Sequence, residues 1–167
     1  NLSAHKRGWD DRWQEFSQWA DKGQVLVSSL LHLIDEDTAA FNRIMEAFGM
    51  PKTTPEEKQA RSAAIQAATL YASEVPLETM RESMKAFEIC RAMAETGNPN
   101  SVSDAGVGAL AARAAVRGAS MNVRINASSL KDKATAQRLI DEANALAAKA
   151  DAEEAAISAI VDGKING

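Results

Sequence analysis

The sequence is poor in cysteine and aromatic residues, and it has no long hydrophobic run. Its single cysteine, Cys90, excludes an internal disulfide and is typical of a protein from a reducing cytoplasm. No apolar run approaches the roughly 20 residues that a membrane-spanning helix needs, and no signal peptide is recognisable at the start. Aromatic residues make up 5% of the chain while alanine is abundant, which favours closely packed helices over a sheet.

The sequence also lacks a large block of one charge and the common spacings of metal ligands. The net charge is −4, which argues against a nucleic-acid-binding groove. His5 and His32 are far apart, and neither a nucleophile elbow nor a phosphate-binding loop is present. We therefore predict no metal site, no bound cofactor, and no nucleic-acid or membrane partner.

Glycines and prolines divide the chain into about five predicted helices, and no segment alternates like a strand. The expected helices cover residues 10–22, 24–48, 54–96, 101–126 and a last segment after 132. Pro76 lies inside the third of them and removes a backbone donor, so we expect a kink or break near residues 73–75. Together these features predict an all-α, up-and-down helical bundle with one long helix kinked near Pro76.

Three predicted helices carry apolar residues at helical spacing, which predicts their buried faces. Aromatic residues near the start predict a hydrophobic anchor: Trp9, Trp13, Phe16 and Trp19. The second helix has a stripe of Leu30, Leu33, Ile34, Phe41, Ile44 and Phe48. The last helix has a stripe of Leu139, Ile140, Ala143, Leu146, Ala147, Ala150, Ile157 and Val161.

Asp37 is a carboxylate within the stripe of the second predicted helix. It follows Ile34 by three residues and precedes Phe41 by four, which predicts a core-facing position. An unpaired carboxylate in a core is costly, so it either finds a structural partner or titrates at higher pH, as general acids and bases do. The residues leave both alternatives open. Asp35 and Glu36 point elsewhere on the helix and are expected to be solvated.

The fourth predicted helix has a face of small residues that ends in two amides: Gly108, Ala112, Ala115, Ala119, Asn122 and Asn126. Small residues let another backbone or a flat ligand come close. The amides need partners, either on a neighbouring helix or subunit or on a ring that carries donors and acceptors. Arg124 lies near both amides in sequence and is either a carboxylate ligand or a surface residue. Asp104, at the start of this helix, is expected to interact with the helix dipole.

Five runs of residues, in this order and spacing, resemble a known family: DEDTAAF (35–41), MPKTTPEEK (50–58), EVPL (74–77), GNPNSVSDAGV (97–107) and NVRIN (122–126). Each run alone is weak, but the ordered series is specific. It resembles the cyclodeaminase/cyclohydrolase family, whose best-known member is the C-terminal domain of formimidoyltransferase-cyclodeaminase. Residues after 132 match only as an amphipathic helix.

The resemblance implies an all-α folate enzyme of histidine degradation that is a homodimer or higher oligomer. It would convert 5-formimidoyltetrahydrofolate to 5,10-methenyltetrahydrofolate and release ammonia. The family's catalytic acid is the second aspartate of the first run, which is Asp37 here. Other residues at motif positions would orient the folate: Asn98, Asp104, Asn122, Arg124 and Asn126.

Two alternatives stay open at this point. The same family contains methenyltetrahydrofolate cyclohydrolases, which add water to the methenyl bridge. A helical dimerisation module without catalysis would have the same amphipathic helices. Family members also carry a glycine-rich PGGGS segment ahead of the region where this chain begins. We therefore expect residues 1–167 to form a single helical domain without that segment, with a formimidoyltransferase domain as a partner in a full-length protein.

Overall fold

The computed structural model describes residues 3–5, 7 and 10–167, and this part of the chain contains four long helices and no strand. The helices are α1 (Trp13–Gly49), α2 (Pro55–Thr96), α3 (Val102–Ser128) and α4 (Lys133–Asn166). Short 3-10 turns at Asp10–Arg12 and Pro99–Ser101 precede α1 and α3. The all-α prediction is confirmed, whereas the count of about five helices is wrong.

The count is wrong because α1 continues through Gly23, where we predicted a boundary. Gly23 lies against α2, since a Cβ there would be 3.9 Å from Cδ1 of Ile89. Glycine in a helix interior costs about 1 kcal/mol relative to alanine. Phe16 and Leu26 are buried on either side of Gly23, so packing of both segments outweighs that cost.

The predicted aromatic anchor near the start is confirmed for Phe16, which is 1% exposed. Trp13 is 42% exposed instead and stacks on His5, with ring centroids 5.2 Å apart. Trp19 is half-buried, and Trp9 lies outside the described residues. Of the described residues in the predicted anchor, only Phe16 is fully buried.

The helix starts follow capping chemistry. Thr54 and Glu57 form a capping box at the start of α2, with Thr54 Oγ1 accepting from the Glu57 N–H at 3.2 Å. Asp132 itself caps α4, because its carboxylate accepts from the backbone N–H groups of Ala134 and Thr135.

The helix α2 is central, since α1, α3 and α4 all pack on it. The main core lies between α2, α3 and α4, and its largest buried side chains include Leu77, Met80, Phe87, Val116, Val123, Leu139 and Ile157. The stripe predicted for the last helix is confirmed, because Leu139, Ile157 and Val161 are buried. No helix within residues 10–167 has the length and hydropathy of a membrane span.

The stripe predicted for the second helix is confirmed in part. Leu30, Leu33 and Ile44 are half-buried, whereas Ile34, Phe41 and Phe48 are exposed. The buried residues of α1 after Gly23 are Leu26, Ala40 and Ala47. A second row of large apolar side chains on α1 is 48–61% exposed and comprises Val27, Leu31, Ile34, Phe41, Met45 and Phe48. We call this row the open face of α1. The helix thus has two apolar faces, and the described chain buries one of them.

Candidate functional site

A groove runs along α2 between α1 and α3. The start of α1 meets the end of α2, where Lys22 Nζ lies 3.3 Å from Glu88 Oε1. The end of α1 meets the start of α2, where the Arg61 guanidinium donates to the Phe48 carbonyl at 3.1 Å. The two helices are therefore antiparallel, and contacts at both ends fix their register.

The small-residue face of α3 packs on α2 in the same direction as α1. Near the start of α3, a Cβ on Gly108 would lie 2.9 Å from Cys90 Sγ. Near its end, Asn126 Nδ2 donates to the Ala72 carbonyl at 2.7 Å. Gly108 and Asn126 of this face therefore contact another helix, whereas Ala115 and Asn122 are exposed.

One end of the groove widens into a cavity of about 320 Å³. Its lining includes Phe16, Trp19 and Gly23 of α1, Ile89, Cys90 and Met93 of α2, and Asn98, Asp104 and Ala105 around the start of α3. The walls are mostly apolar, and burial raises the pKa of the Cys90 thiol. A raised pKa keeps the thiol protonated, so Cys90 is not an activated nucleophile.

Asn98 and Asp104, two of the predicted ligand-binding residues, lie at this cavity. Asn98 Oδ1 accepts from the backbone N–H of Asn100 at 3.1 Å, and the Asn98 N–H donates to Ser3 Oγ at 2.9 Å. Asp104 is exposed in the first turn of α3, where a negative charge interacts favourably with the helix dipole.

Asp37 is exposed, which contradicts the predicted core-facing position. The buried side of α1 runs through Leu26, Ala40 and Ala47, whereas Ile34 and Phe41 belong to the open face. Asp37 borders the open face, three residues after Ile34 and four before Phe41. Because Asp37 is exposed to solvent, its carboxylate needs no buried partner.

Asp37 nevertheless lies at the same level of the groove as Asn126. Ala40, one turn after Asp37, packs against Ala72 and Val75 of α2. Asn126 of α3 binds the carbonyl of that same Ala72. Asn122 lies one turn earlier on α3, exposed and on the same side as Asn126. These contacts place Asp37, Asn122 and Asn126 at about the same level along α2.

Arg124 does not share the face of the two amides. It lies two residues from each of them on a continuous helix, and residues two apart point in different directions. Its Nε donates to the Ser120 carbonyl at 3.4 Å. Arg124 is therefore near the amides in sequence but on another side of α3, and its role as a folate ligand stays a prediction.

The predicted site residues therefore fall into two groups. Asp104 and Asn122 are 18 residues apart on α3, which corresponds to about 27 Å along the helix axis. Asn98 and Asp104 lie at the cavity end, and Asp37, Asn122 and Asn126 lie further along the groove. One reacting atom cannot contact both groups.

Sequence reasoning missed the role of Glu36. We expected it to be solvated, but it is half-buried and accepts a hydrogen bond from the Tyr71 hydroxyl. This bond raises the pKa of Tyr71, and the Arg43 guanidinium lies 4.1 Å from the centre of the Tyr71 ring. The signal was in the sequence, since Glu36 comes four residues before Ala40 on the buried side of α1.

The groove offers acid–base and hydrogen-bonding groups for chemistry. No three side chains of His, Cys, Asp or Glu come together as metal ligands within the described ranges. At the level of Asp37, the groove presents a carboxylate and two carboxamides beside the apolar open face of α1. A carboxylate can accept or donate a proton, while carboxamides orient a ring that has both donors and acceptors.

Comparisons with known proteins point to one family. The model of the formiminotransferase-cyclodeaminase family matches residues 1–145. A methenyltetrahydrofolate cyclohydrolase from Methylorubrum extorquens is 38% identical over 166 residues, 99% of this chain and 80% of that protein. A formimidoyltransferase-cyclodeaminase from Gallus gallus is 36% identical over 107 residues, 64% of this chain and 20% of that protein.

A solved structure is similar as well. The crystal structure of formiminotetrahydrofolate cyclodeaminase from Thermotoga maritima has a TM-score of 0.82 and covers 99% of this chain and 78% of that chain. Its sequence identity is 22%, so this likeness shows the fold.

Proposed function

This chain belongs to the formiminotransferase-cyclodeaminase family of folate one-carbon enzymes, and we propose that it hydrolyses 5,10-methenyltetrahydrofolate to 10-formyltetrahydrofolate. The observation that carries this proposal is the 38% identity to a methenyltetrahydrofolate cyclohydrolase over 99% of the chain. The match to the chicken cyclodeaminase covers 64% of the chain and a fifth of that longer protein.

The proposed reaction begins with attack of water on the carbon that bridges N5 and N10 of the folate. Asp37 takes a proton from that water as the new C–O bond forms, and a tetrahedral intermediate results. The bond from this carbon to N5 then breaks as the hydroxyl of the intermediate loses its proton and becomes the formyl C=O. N5 receives one proton from Asp37, and the formyl group stays on N10. One proton is released in total. General acid–base help of this kind is typically worth about 10²–10⁴-fold in rate.

The two amides near Asp37 suit the other requirement, which is to hold the folate ring. Asn122 and Asn126 can both donate and accept, as a pterin ring does. The open face of α1 beside them offers apolar surface to the rest of the ligand. Asn98 and Asp104, at the cavity, would contact a distant part of the same molecule, and Arg124 stays a weaker candidate on another face of α3.

A second candidate reaction is cyclodeamination, and a specific observation favours it. The Gallus relative, 36% identical over 64% of this chain, carries that activity in its name. In this reaction N10 attacks the formimidoyl carbon of 5-formimidoyltetrahydrofolate, and Asp37 protonates the nitrogen that leaves as ammonia. A role in histidine degradation follows only from this second reaction.

One experiment separates the two reactions. The protein is given 5,10-methenyltetrahydrofolate in one series and 5-formimidoyltetrahydrofolate in another, while methenyl absorbance, 10-formyltetrahydrofolate and ammonia are measured together. In the first series, we expect the methenyl compound to decay to the formyl product faster than it does without protein. In the second series, we expect no ammonia. Ammonia release with a rise in methenyl absorbance would replace the hydrolase by the deaminase. No turnover by folded protein in either series would favour a helical dimerisation module.

We also propose that the chain forms a homodimer or higher oligomer in the cytoplasm. The open face of α1 supports self-association, because its six large apolar side chains are 48–61% exposed and exposed apolar patches often mark protein–protein interaction sites. Sedimentation should give a mass above 17.9 kDa. Phe41→Ser should lower that mass, whereas Val107→Ser on the exposed side of α3 should not. A monomeric wild-type protein at high concentration would contradict this proposal.

A further inference from the structure

One backbone carbonyl in the middle of α2 has lost its helical donor. Pro76 has no N–H, so the carbonyl of Ala72, four residues earlier, cannot receive the usual hydrogen bond. The helix is nevertheless unbroken there, which contradicts the break we expected, and the kink stays a prediction. Ala72 is 6% exposed, so an unpaired carbonyl at this position would be costly.

Asn126 of α3 supplies the missing donor. Its Nδ2 lies 2.7 Å from the Ala72 oxygen, which is a hydrogen bond of good length. Only the NH₂ side of a carboxamide can donate to a carbonyl, so this bond fixes which way the amide points. The Asn126 side chain is half-buried, and within residues 10–167 no donor contacts its Oδ1.

We propose that Pro76, through the freed Ala72 carbonyl, fixes the Asn126 amide so that its Oδ1 accepts a hydrogen bond from the ligand. The amide is held at the level of Asp37, where the proposed reaction takes place. The donor would be a ring N–H or the amino group of the reduced pterin, and this ligand class rests on the proposed function. Pro76 is thus a positioning residue that acts on the site through Asn126.

Asn122 provides the contrast on the same helix. It is exposed, and no hydrogen bond from its side chain to another described residue holds it. Its amide can therefore rotate and serve as donor or acceptor. The two amides of the family motif are not equivalent in this account, because Asn126 is set as an acceptor and Asn122 adapts.

The pairing is tested by a double-mutant cycle in unfolding equilibrium. Asn126→Leu leaves the Ala72 carbonyl unpaired and should raise the unfolding constant by about 5- to 100-fold. Pro76→Ala restores the backbone N–H of residue 76, which can donate to the Ala72 carbonyl. In that background, Asn126→Leu should therefore raise the unfolding constant much less. Asn122→Leu is the control and should cost the same in both backgrounds. Equal costs of Asn126→Leu in both backgrounds would overturn the pairing.

The positioning role of Pro76 is tested by two measurements that do not report on the stability of the fold. In the wild type, the side-chain NH₂ protons of Asn126 should exchange more slowly with solvent than those of Asn122. In Pro76→Ala this difference should disappear. The Kd for 5,10-methenyltetrahydrofolate should rise by about tenfold in Pro76→Ala, although the variant stays folded.

The binding measurement and the stability cycle test different parts of the proposal. An unchanged Kd in Pro76→Ala, with wild-type binding intact, would overturn the positioning role even if the stability cycle shows coupling. A wild-type protein that binds no folate would overturn the proposed function and the ligand assigned to Oδ1. In that case the stability cycle and the NH₂ exchange would still decide whether Pro76 fixes Asn126.

Discussion

Helices α1 and α4 are similar in length, with 37 and 34 residues, but they hide their apolar residues to different extents. Ile157 of α4 is fully buried, whereas Ile34 of α1 is 61% exposed. The difference lies in the neighbours, because α4 packs on both α2 and α3 while α1 packs mainly on α2. Periodicity finds the apolar faces of a helix, but the number of neighbours decides which of them are covered.

The largest expected effect comes from the same substitution on the two helices. Ile157→Ala removes a side chain from the main core and should lower the free energy of unfolding by about 2–5 kcal/mol. Ile34→Ala should change the unfolding of the isolated chain by less than about 0.5 kcal/mol. Denaturant titrations of both variants at low protein concentration make the comparison. Equal losses would mean that the open face of α1 is packed like a core.

A smaller effect is expected from two glycines of α3, one packed and one open. A Cβ on Gly108 would lie 2.9 Å from Cys90 Sγ, so Gly108→Ala should destabilise by about 1–3 kcal/mol. Gly118 has no atom within 4 Å of such a Cβ, so Gly118→Ala should stabilise by up to about 1 kcal/mol. Thermal unfolding measures both.

The control for this pair removes the clashing atom. In a Cys90→Ala background, the cost of Gly108→Ala should shrink, while the effect of Gly118→Ala should stay as it was. A destabilisation by Gly108→Ala that persists without the thiol would show that the contact between α2 and α3 is not limited by Cys90.

The smallest effect concerns a surface ion-pair cluster between α3 and α4. Hydrogen bonds from Arg113 and Arg117 hold the pKa of Asp151 below its usual range. A lowered folded-state pKa contributes stability above the ordinary aspartate value, near 4, and this contribution is lost as pH falls through the lower folded value. Asp151→Asn should therefore lower Tm slightly at about pH 7 and have almost no effect at about pH 2.

The control for Asp151 keeps the carboxylate and removes its partners. In an Arg113→Met, Arg117→Met background, Asp151→Asn should change the pH dependence of Tm much less. A pH profile that is the same in Asp151→Asn and in the wild type would show that the two arginines do not stabilise the folded chain through this carboxylate.

Much of the fold was predictable because its signals are local. The capping box at Thr54 and Glu57 and the stripe of α4 need only near neighbours in sequence, and both are present. The merger of two predicted helices across Gly23 was not predictable, since it depends on packing against α2. Packing against α2 also decides which of the two apolar faces of α1 is buried, so this could not be predicted either.

The site was predictable in residue type but not in arrangement. The resemblance selected Asp37, Asn122 and Asn126, and the register of α1 and α3 on α2 places these residues at one level. It also selected Asp104, which lies about 27 Å from Asn122 along α3. The bond from Asn126 to the Ala72 carbonyl joins residues 54 apart in sequence, so no local pattern reveals it.

In the proposed folate reaction, the exposed carboxylate of Asp37, beside the open face of α1, is the acid–base group. The most direct test is the kcat for 5,10-methenyltetrahydrofolate hydrolysis with Asp37→Asn and with Asp35→Asn, an exposed neighbour on the same helix. We predict a loss of about 10²–10⁴-fold for Asp37→Asn and almost no change for Asp35→Asn. A near-wild-type kcat at saturating substrate in Asp37→Asn would contradict the account.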